Sequence, residues 1–234
     1  MPSSAVPSRG PDDAAQTIRD HISRGLSLDD ALFDRLFSAR SRELSAMHWT
    51  PLDIAPLAVA WLTEGGARSV LDVGAGVGKL CLYGALTAPG VRFTGIEQRP
   101  ALVTEGSSAA RALGVSDRVE LRRGLIDDID PSAYDAFYLY NPFCENLVDG
   151  DGERIDGTVE ASRARFDRDV RRIEQWLNAA PVGTRVVTLI GFGGWVPGSY
   201  RLVHAETYSH DALRAWEKTT NDPSPRRAFA ERRR

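Results

Sequence analysis

Between Val70 and Lys79 the chain reads Val-Leu-Asp-Val-Gly-Ala-Gly-Val-Gly-Lys, a β-rich run that passes through glycines into helix-forming residues. Glycine turns sharply and lets a ligand approach the main chain without meeting a Cβ. A helix start adds N–H groups that have no partner within the helix. Gly74, Ala75, Gly76 and Gly78 therefore make a candidate ligand loop. Nineteen residues after Gly78, Glu97 closes the run Phe93-Thr-Gly-Ile-Glu97. An acid there lies beside the end of the preceding strand and can accept hydrogen bonds from two ribose hydroxyls. Loop and acid together predict a nucleoside-containing ligand. A dinucleotide fingerprint needs glycine at positions 74, 76 and 79, and position 79 is Lys, a poor fit where the last glycine permits close helix–strand packing. A triphosphate-binding P-loop fails too, since Leu80 follows Gly78-Lys79 where Ser or Thr belongs and Val73 replaces the first Gly. Asp72, inside the strand, can orient the loop or reach a ligand's ammonium group.

A second candidate group is Tyr138-Leu-Tyr-Asn-Pro-Phe143, at the end of a later apolar run. Ligands of α/β sheets sit at the carboxyl ends of strands, which places Asn141, Pro142 and Phe143 at the reacting centre. The Asn141 amide can orient an incoming nucleophile while Phe143 excludes water. A nucleophile that arrives protonated needs a base, and His48, Tyr138 and Tyr140 are the candidates by location. Cys144 reads as a small packed residue. The arginines 163, 165, 168, 171 and 172 alternate with Asp167, Asp169 and Glu174 and read as a solvated helix face.

Asp72-x-Gly-x-Gly-x-Gly followed by Gly95-Ile-Glu97 resembles the class I S-adenosylmethionine-dependent methyltransferases over about residues 48–208. The resemblance implies a Rossmann-like methyltransferase fold with S-adenosylmethionine as cofactor. It also implies that the loop from Asp72 to Gly78 holds the methionine moiety, Glu97 the ribose, and Gln98 packs near the adenine. His48-Trp49-Thr50-Pro51 looks like the lead-in that such enzymes fold over the cofactor. After the third strand the family often carries Gly-Asp, the Asp binding the adenine amino group. Here Leu125 follows Gly124, which leaves Asp127 or a main-chain carbonyl for that role. Adenine and glutamine N-methyltransferases carry two prolines where this chain has Pro142 alone, so that substrate class is not supported. The Asn- and Phe-containing segment and the Val-Gly-Lys-Leu-Cys helix start look distantly like the non-SET histone lysine methyltransferases.

The elements that must hold these residues follow from periodicity. Residues 1–12 are rich in Pro, Ser and Gly and read as a disordered tail. Apolar residues over 13–47 recur at helical spacing and predict a cap of two short helices broken near Gly25. Thr50-Pro51 suits a helix start, and Gly65-Gly66 its stop. Strands are expected at 69–73, 91–97, 118–123, 134–140 and 185–190, with helices at 79–87, 101–113 and 158–179 between them. This alternation predicts one doubly wound α/β domain, 48–221, with a mostly parallel sheet. No room for another crossover helix remains before the run 200–208, so the sheet is expected to end in an antiparallel hairpin. Residues 222–234 form a basic tail that reads as mobile.

Composition narrows the function. The 234 residues suffice for one large core, and the net charge of −3 argues against a surface built for nucleic-acid backbone. Two cysteines and four scattered histidines give no metal spacing and suit a reducing, cytoplasmic setting. No apolar run spans a bilayer, which takes about 20 residues, and the N-terminus lacks the apolar stretch of a secretory signal. The expected activity is methyl transfer to nitrogen or oxygen of a small molecule or protein. An NAD-dependent oxidoreductase and a non-catalytic nucleoside-binding regulatory module remain as alternatives.

Overall fold

A computed structural model describes residues 11–147, 154–208 and 211–222. Seven strands form one sheet: β1 (Ser69–Val73), β2 (Arg92–Glu97), β3 (Val119–Arg123), β4 (Ala136–Tyr140), β5 (Arg185–Leu189), β6 (Tyr200–Tyr208) and β7 (Asp211–Lys218). Their order is β3-β2-β1-β4-β5-β7-β6. The first five run parallel, whereas β7 pairs antiparallel with both β5 and β6. The doubly wound dinucleotide fold places a sixth strand beside β5 in sequence order; here β7 takes that place and runs antiparallel.

Two apolar layers cover the sheet. On one face Val70, Phe93, Ala136, Tyr138 and Val187 pack under α1 (Pro11–Ser23), α4 (Ala55–Thr63), α5 (Lys79–Thr87) and α6 (Pro100–Leu113). On the other, Leu71, Val73, Ile96, Phe137 and Val186 pack under α7 (Arg163–Ala179). Alternation along β1 thus turns Asp72 to the first face, where Cys81 of α5 meets it.

Several boundaries differ from the sequence expectation. The segment expected to hold two helices holds three, α1, α2 (Asp30–Phe33) and α3 (Ala39–His48), with a 3₁₀ turn at Asp34–Leu36. The helix α1 takes in Pro11 and Asp12, which the sequence assigns to the tail, while residues 1–10 and the basic tail from 223 lie outside the described residues. The helix expected from Thr50-Pro51 starts at Ala55, with Pro56 in its first turn, after a turn in which Ile54 and Ala55 N–H both donate to the Pro51 carbonyl; the Thr50 hydroxyl lies 3.1 Å from the Tyr138 hydroxyl. The helix expected from 158 starts at Arg163, where the Ser162 hydroxyl accepts from Arg165 N–H and caps it. No helix among the described residues is long and apolar enough to cross a membrane.

Candidate functional site

The glycine loop leaves β1 through Gly74 (φ 72°), Gly76 (φ 57°) and Gly78 (φ 72°), all in the left-handed region that side chains disfavour. Gly74 and Ala75 both donate their N–H to the Ile96 carbonyl, at 3.0 and 3.1 Å, and Gly78 donates to Ala75. Gly76 N–H donates to Glu97 Oε2 at 3.1 Å. The loop is therefore stitched to the end of β2, and these four N–H groups are spent inside the protein. A Cβ on Gly76 would collide with the Trp49 ring, and one on Gly78 with Leu121. Those two glycines make room for packing; Gly74 is the one whose backbone faces the cavity.

That cavity, about 140 Å³, opens over the carboxyl ends of β1, β2, β4 and β5. At about 10–15 Å³ per water it holds on the order of ten, too many for a packing flaw. Its lining brings together His48, Trp49, Gly74, Glu97, Gln98, Leu125, Tyr140, Asn141 and Phe143 from the sequence-expected set. A narrow cleft next to it, sharing His48, Trp49, Gly74 and Tyr140, is lined by Thr50, Asp72 and Ala75. Asp127 joins neither: it lies on the surface, 3.4 Å from Arg172. Asp128 instead caps this turn, accepting from Leu125 N–H at 2.8 Å.

Electrostatics set the character of each acid. Glu97 Oε1 accepts from Arg99 N–H at 2.9 Å, so each oxygen holds one backbone donor and keeps a lone pair for a further one. Burial raises its pKa against the pull of those donors and of the Arg99 guanidinium. Asp72 is buried; desolvation pushes its pKa to about 7, the Cys81 thiol opposing the rise and the Glu97 charge adding to it. Of the three candidate bases, Tyr138 is fully buried and its pKa is driven far up by desolvation. Tyr140 is raised for the same reason. His48 moves the other way, lowered first by burial, and its Nε2 is buried without a hydrogen-bond partner among the described residues.

Backbone strain concentrates on the same wall. Asn141 (φ 42°) and Ile190 (φ 64°) are the non-glycine residues with positive φ among those described, and both line the cavity. Asn141 N–H donates to the Gly191 carbonyl at 2.8 Å, joining the ends of β4 and β5. A β-branched residue in this region is an outlier, and such outliers gather at ligand sites.

No family model matches the chain, and no curated protein does. Solved structures do match. An RNA methyltransferase from Salinibacter ruber superposes with a TM-score of 0.55 at 22% identity, over 77% of this chain and 99% of that one. An O-methyltransferase from Bacillus cereus gives 0.56 at 14% identity, over 88% and 100%. A mitomycin 7-O-methyltransferase gives 0.51 at 16%, over 92% and 69%. The fold is that of methyltransferases.

On this methyltransferase fold, several cavity residues were not marked by the sequence. Arg99 is buried, with Glu145 and Asp156 each 3.0 Å from its guanidinium and Glu97 at 3.7 Å. Arg165 and Asp169 belong to the supposed solvated face of α7, yet both line the cavity, 3.6 Å apart, and Arg165 donates to Gln98. Val159, expected inside that helix, lines the cavity from the segment before it. A lone arginine in sequence carries no sign of burial; only the convergence of distant carboxylates makes it one.

Proposed function

We propose that this chain is a methyltransferase using S-adenosylmethionine. The observation that carries the reading is the inward stitching of the loop. A dinucleotide's pyrophosphate lies against the backbone of the glycine loop, and here the loop N–H groups of Gly74, Ala75, Gly76 and Gly78 already donate within the protein. The ligand this suits has a ribose and no phosphate. Two of the matching solved structures, from S. ruber and B. cereus, hold S-adenosylhomocysteine.

The residues present fit such a cofactor. Glu97 has lone pairs left for the ribose hydroxyls, and Gln98, Leu125 and Ile126 wall the adjoining space. The backbone of Gly74 faces the cavity without a side chain, and Asp72 is a buried carboxyl whose raised pKa a ligand ammonium would relieve. Bound there, S-adenosylmethionine supplies an electrophilic methyl group on a sulfonium. The chain's own work is to hold the acceptor in line and keep water out, with Tyr140, Asn141 and Phe143 on the acceptor side and His48 as the base. Residues 13–47 act as the cap, and 48–221 as the cofactor-binding domain. The acceptor is a small molecule or protein, methylated at nitrogen or oxygen, in the cytoplasm. Its net charge of −3 disfavours a nucleic-acid acceptor.

Calorimetric titration tests this. S-adenosylhomocysteine should bind and NAD should not, and Glu97→Ala should weaken the former at least about tenfold, the worth of one charged hydrogen bond. Binding of NAD, or affinity for S-adenosylhomocysteine unchanged by both Asp72→Ala and Glu97→Ala, would falsify the assignment.

A further inference from the structure

The charges lining the cavity are already spoken for. Arg99 is shared by Glu145, Asp156 and Glu97, so each of these carboxylates already has a cation partner. Arg165 pairs with Asp169, which Arg168 also reaches at 2.8 Å. Arg154, the remaining charged residue of the lining, is engaged as well. A phosphate-bearing acceptor calls for uncommitted cations, and a lysine ammonium for an uncommitted carboxylate in reach. Among the described lining residues neither is on offer.

The polar groups of the lining outside these ion pairs are neutral. His48 Nε2 lies buried and unpartnered, and the Tyr140 hydroxyl and Asn141 amide line the same space. Met47 and Ile190 are apolar residues of the lining that are more than a third exposed, which sets them at its mouth, and Phe143 is buried within. An apolar mouth above a few neutral polar groups matches a molecule of the same pattern: an apolar body with one polar, proton-bearing group.

We propose that the methyl acceptor is an uncharged small molecule carrying a hydroxyl on an apolar ring system, and that His48 Nε2 takes the hydroxyl proton. This rests on the methyl-transfer reading and narrows it to oxygen. The acceptor oxygen takes the methyl carbon, the carbon–sulfur electron pair remains on the sulfur, and the proton leaves for His48 Nε2. A neutral imidazole is needed for this, and burial keeps His48 in that state.

The test holds the ring constant and varies the charge. Into protein saturated with S-adenosylhomocysteine one titrates 2-naphthol, 2-naphthoate and 2-naphthylmethylammonium, following naphthalene fluorescence. The neutral compound should bind at least about tenfold more tightly than either ion, about 1.4 kcal/mol, and its affinity should not fall with added salt. Met47→Glu, which puts a charge on an exposed position of the mouth, should weaken 2-naphthol binding. Equal or tighter binding of either ion overturns the proposal. In a second arm, methyl-labelled cofactor is incubated with 2-naphthol, bulk tRNA or a lysine-rich peptide. Label in the naphthyl methyl ether supports the proposal; label in the RNA or the peptide overturns it. Should the wild type not bind S-adenosylhomocysteine at the outset, the methyl-transfer reading falls first, before any naphthalene is added.

Discussion

Lys79 Nζ lies 2.7 Å from Asp34 Oδ1, joining the first turn of α5 to the 3₁₀ turn of the cap. The same ammonium reaches Asp30 and donates to the Ser45 hydroxyl at 2.9 Å, and the side chain is only 2% exposed. The residue that disqualifies a dinucleotide loop is therefore the peg on which the cap hangs. Removing one member of a buried pair strands its partner, at a cost of about 3–5 kcal/mol. Lys79→Ala is expected to lose about 3 kcal/mol in urea unfolding, with part of the ammonium's work shared by the half-exposed Asp30. A loss below about 1 kcal/mol would mean that the cap is held by its apolar contacts alone.

Asp72 should make stability fall as pH rises. Its folded pKa, about 7, stands above the unfolded value of about 3.9, so the folded state binds the extra proton between the two. The contribution is complete below about pH 4 and is lost as pH rises through about 7. Asp72→Asn cannot ionise and lacks this slope. The difference in unfolding free energy between the two proteins should shift by on the order of 4 kcal/mol from about pH 4 to about pH 8. Parallel pH profiles for the two would place the carboxyl in contact with water.

His48 should govern the acid side of turnover. Burial lowers its pKa below the ordinary imidazole value; Glu145 pulls it back, and Arg99 and Arg40 push it down further. Neutral imidazole is the proton acceptor, so kcat/KM is expected to rise with pH through a value under about 6.5 and stay level above it. His48→Ala should remove that rising limb and lower kcat/KM by about 10²–10⁴-fold. A variant that keeps the limb assigns the titration to another group.

The positions of the first five strands and the place of Glu97 beside the loop were legible because both leave a local mark. Strands buried on both faces read as apolar runs, and an acid at a strand end sits at a fixed distance from the loop. β7 leaves no such mark. Asp211-Ala-Leu-Arg-Ala-Trp-Glu-Lys218 is made of good helix formers, and it is a strand because Trp216 lies between Val186 of β5 and Leu202 of β6. Tertiary pairing overrides propensity there. Gly76 and Gly78 show a second limit: a glycine pattern reveals that a Cβ is excluded, and not whether a ligand, Trp49 or Leu121 excludes it.

Ile190 carries its strain for a purpose, if the mouth of the cavity is an acceptor wall. Its φ of 64° costs a β-branched residue about 1–3 kcal/mol, and its side chain, 38% exposed, recovers only part of that by burial. Glycine removes the strain and adds about 0.5–1 kcal/mol of unfolded-chain entropy. Ile190→Gly is therefore expected to stay within about 1 kcal/mol of the wild type in urea unfolding, strain relief offsetting lost burial, while its affinity for 2-naphthol drops. If both fall together, the side chain serves the core and the strain has no bearing on the ligand. If stability holds and binding stays, the apolar body of the acceptor rests on Met47 instead.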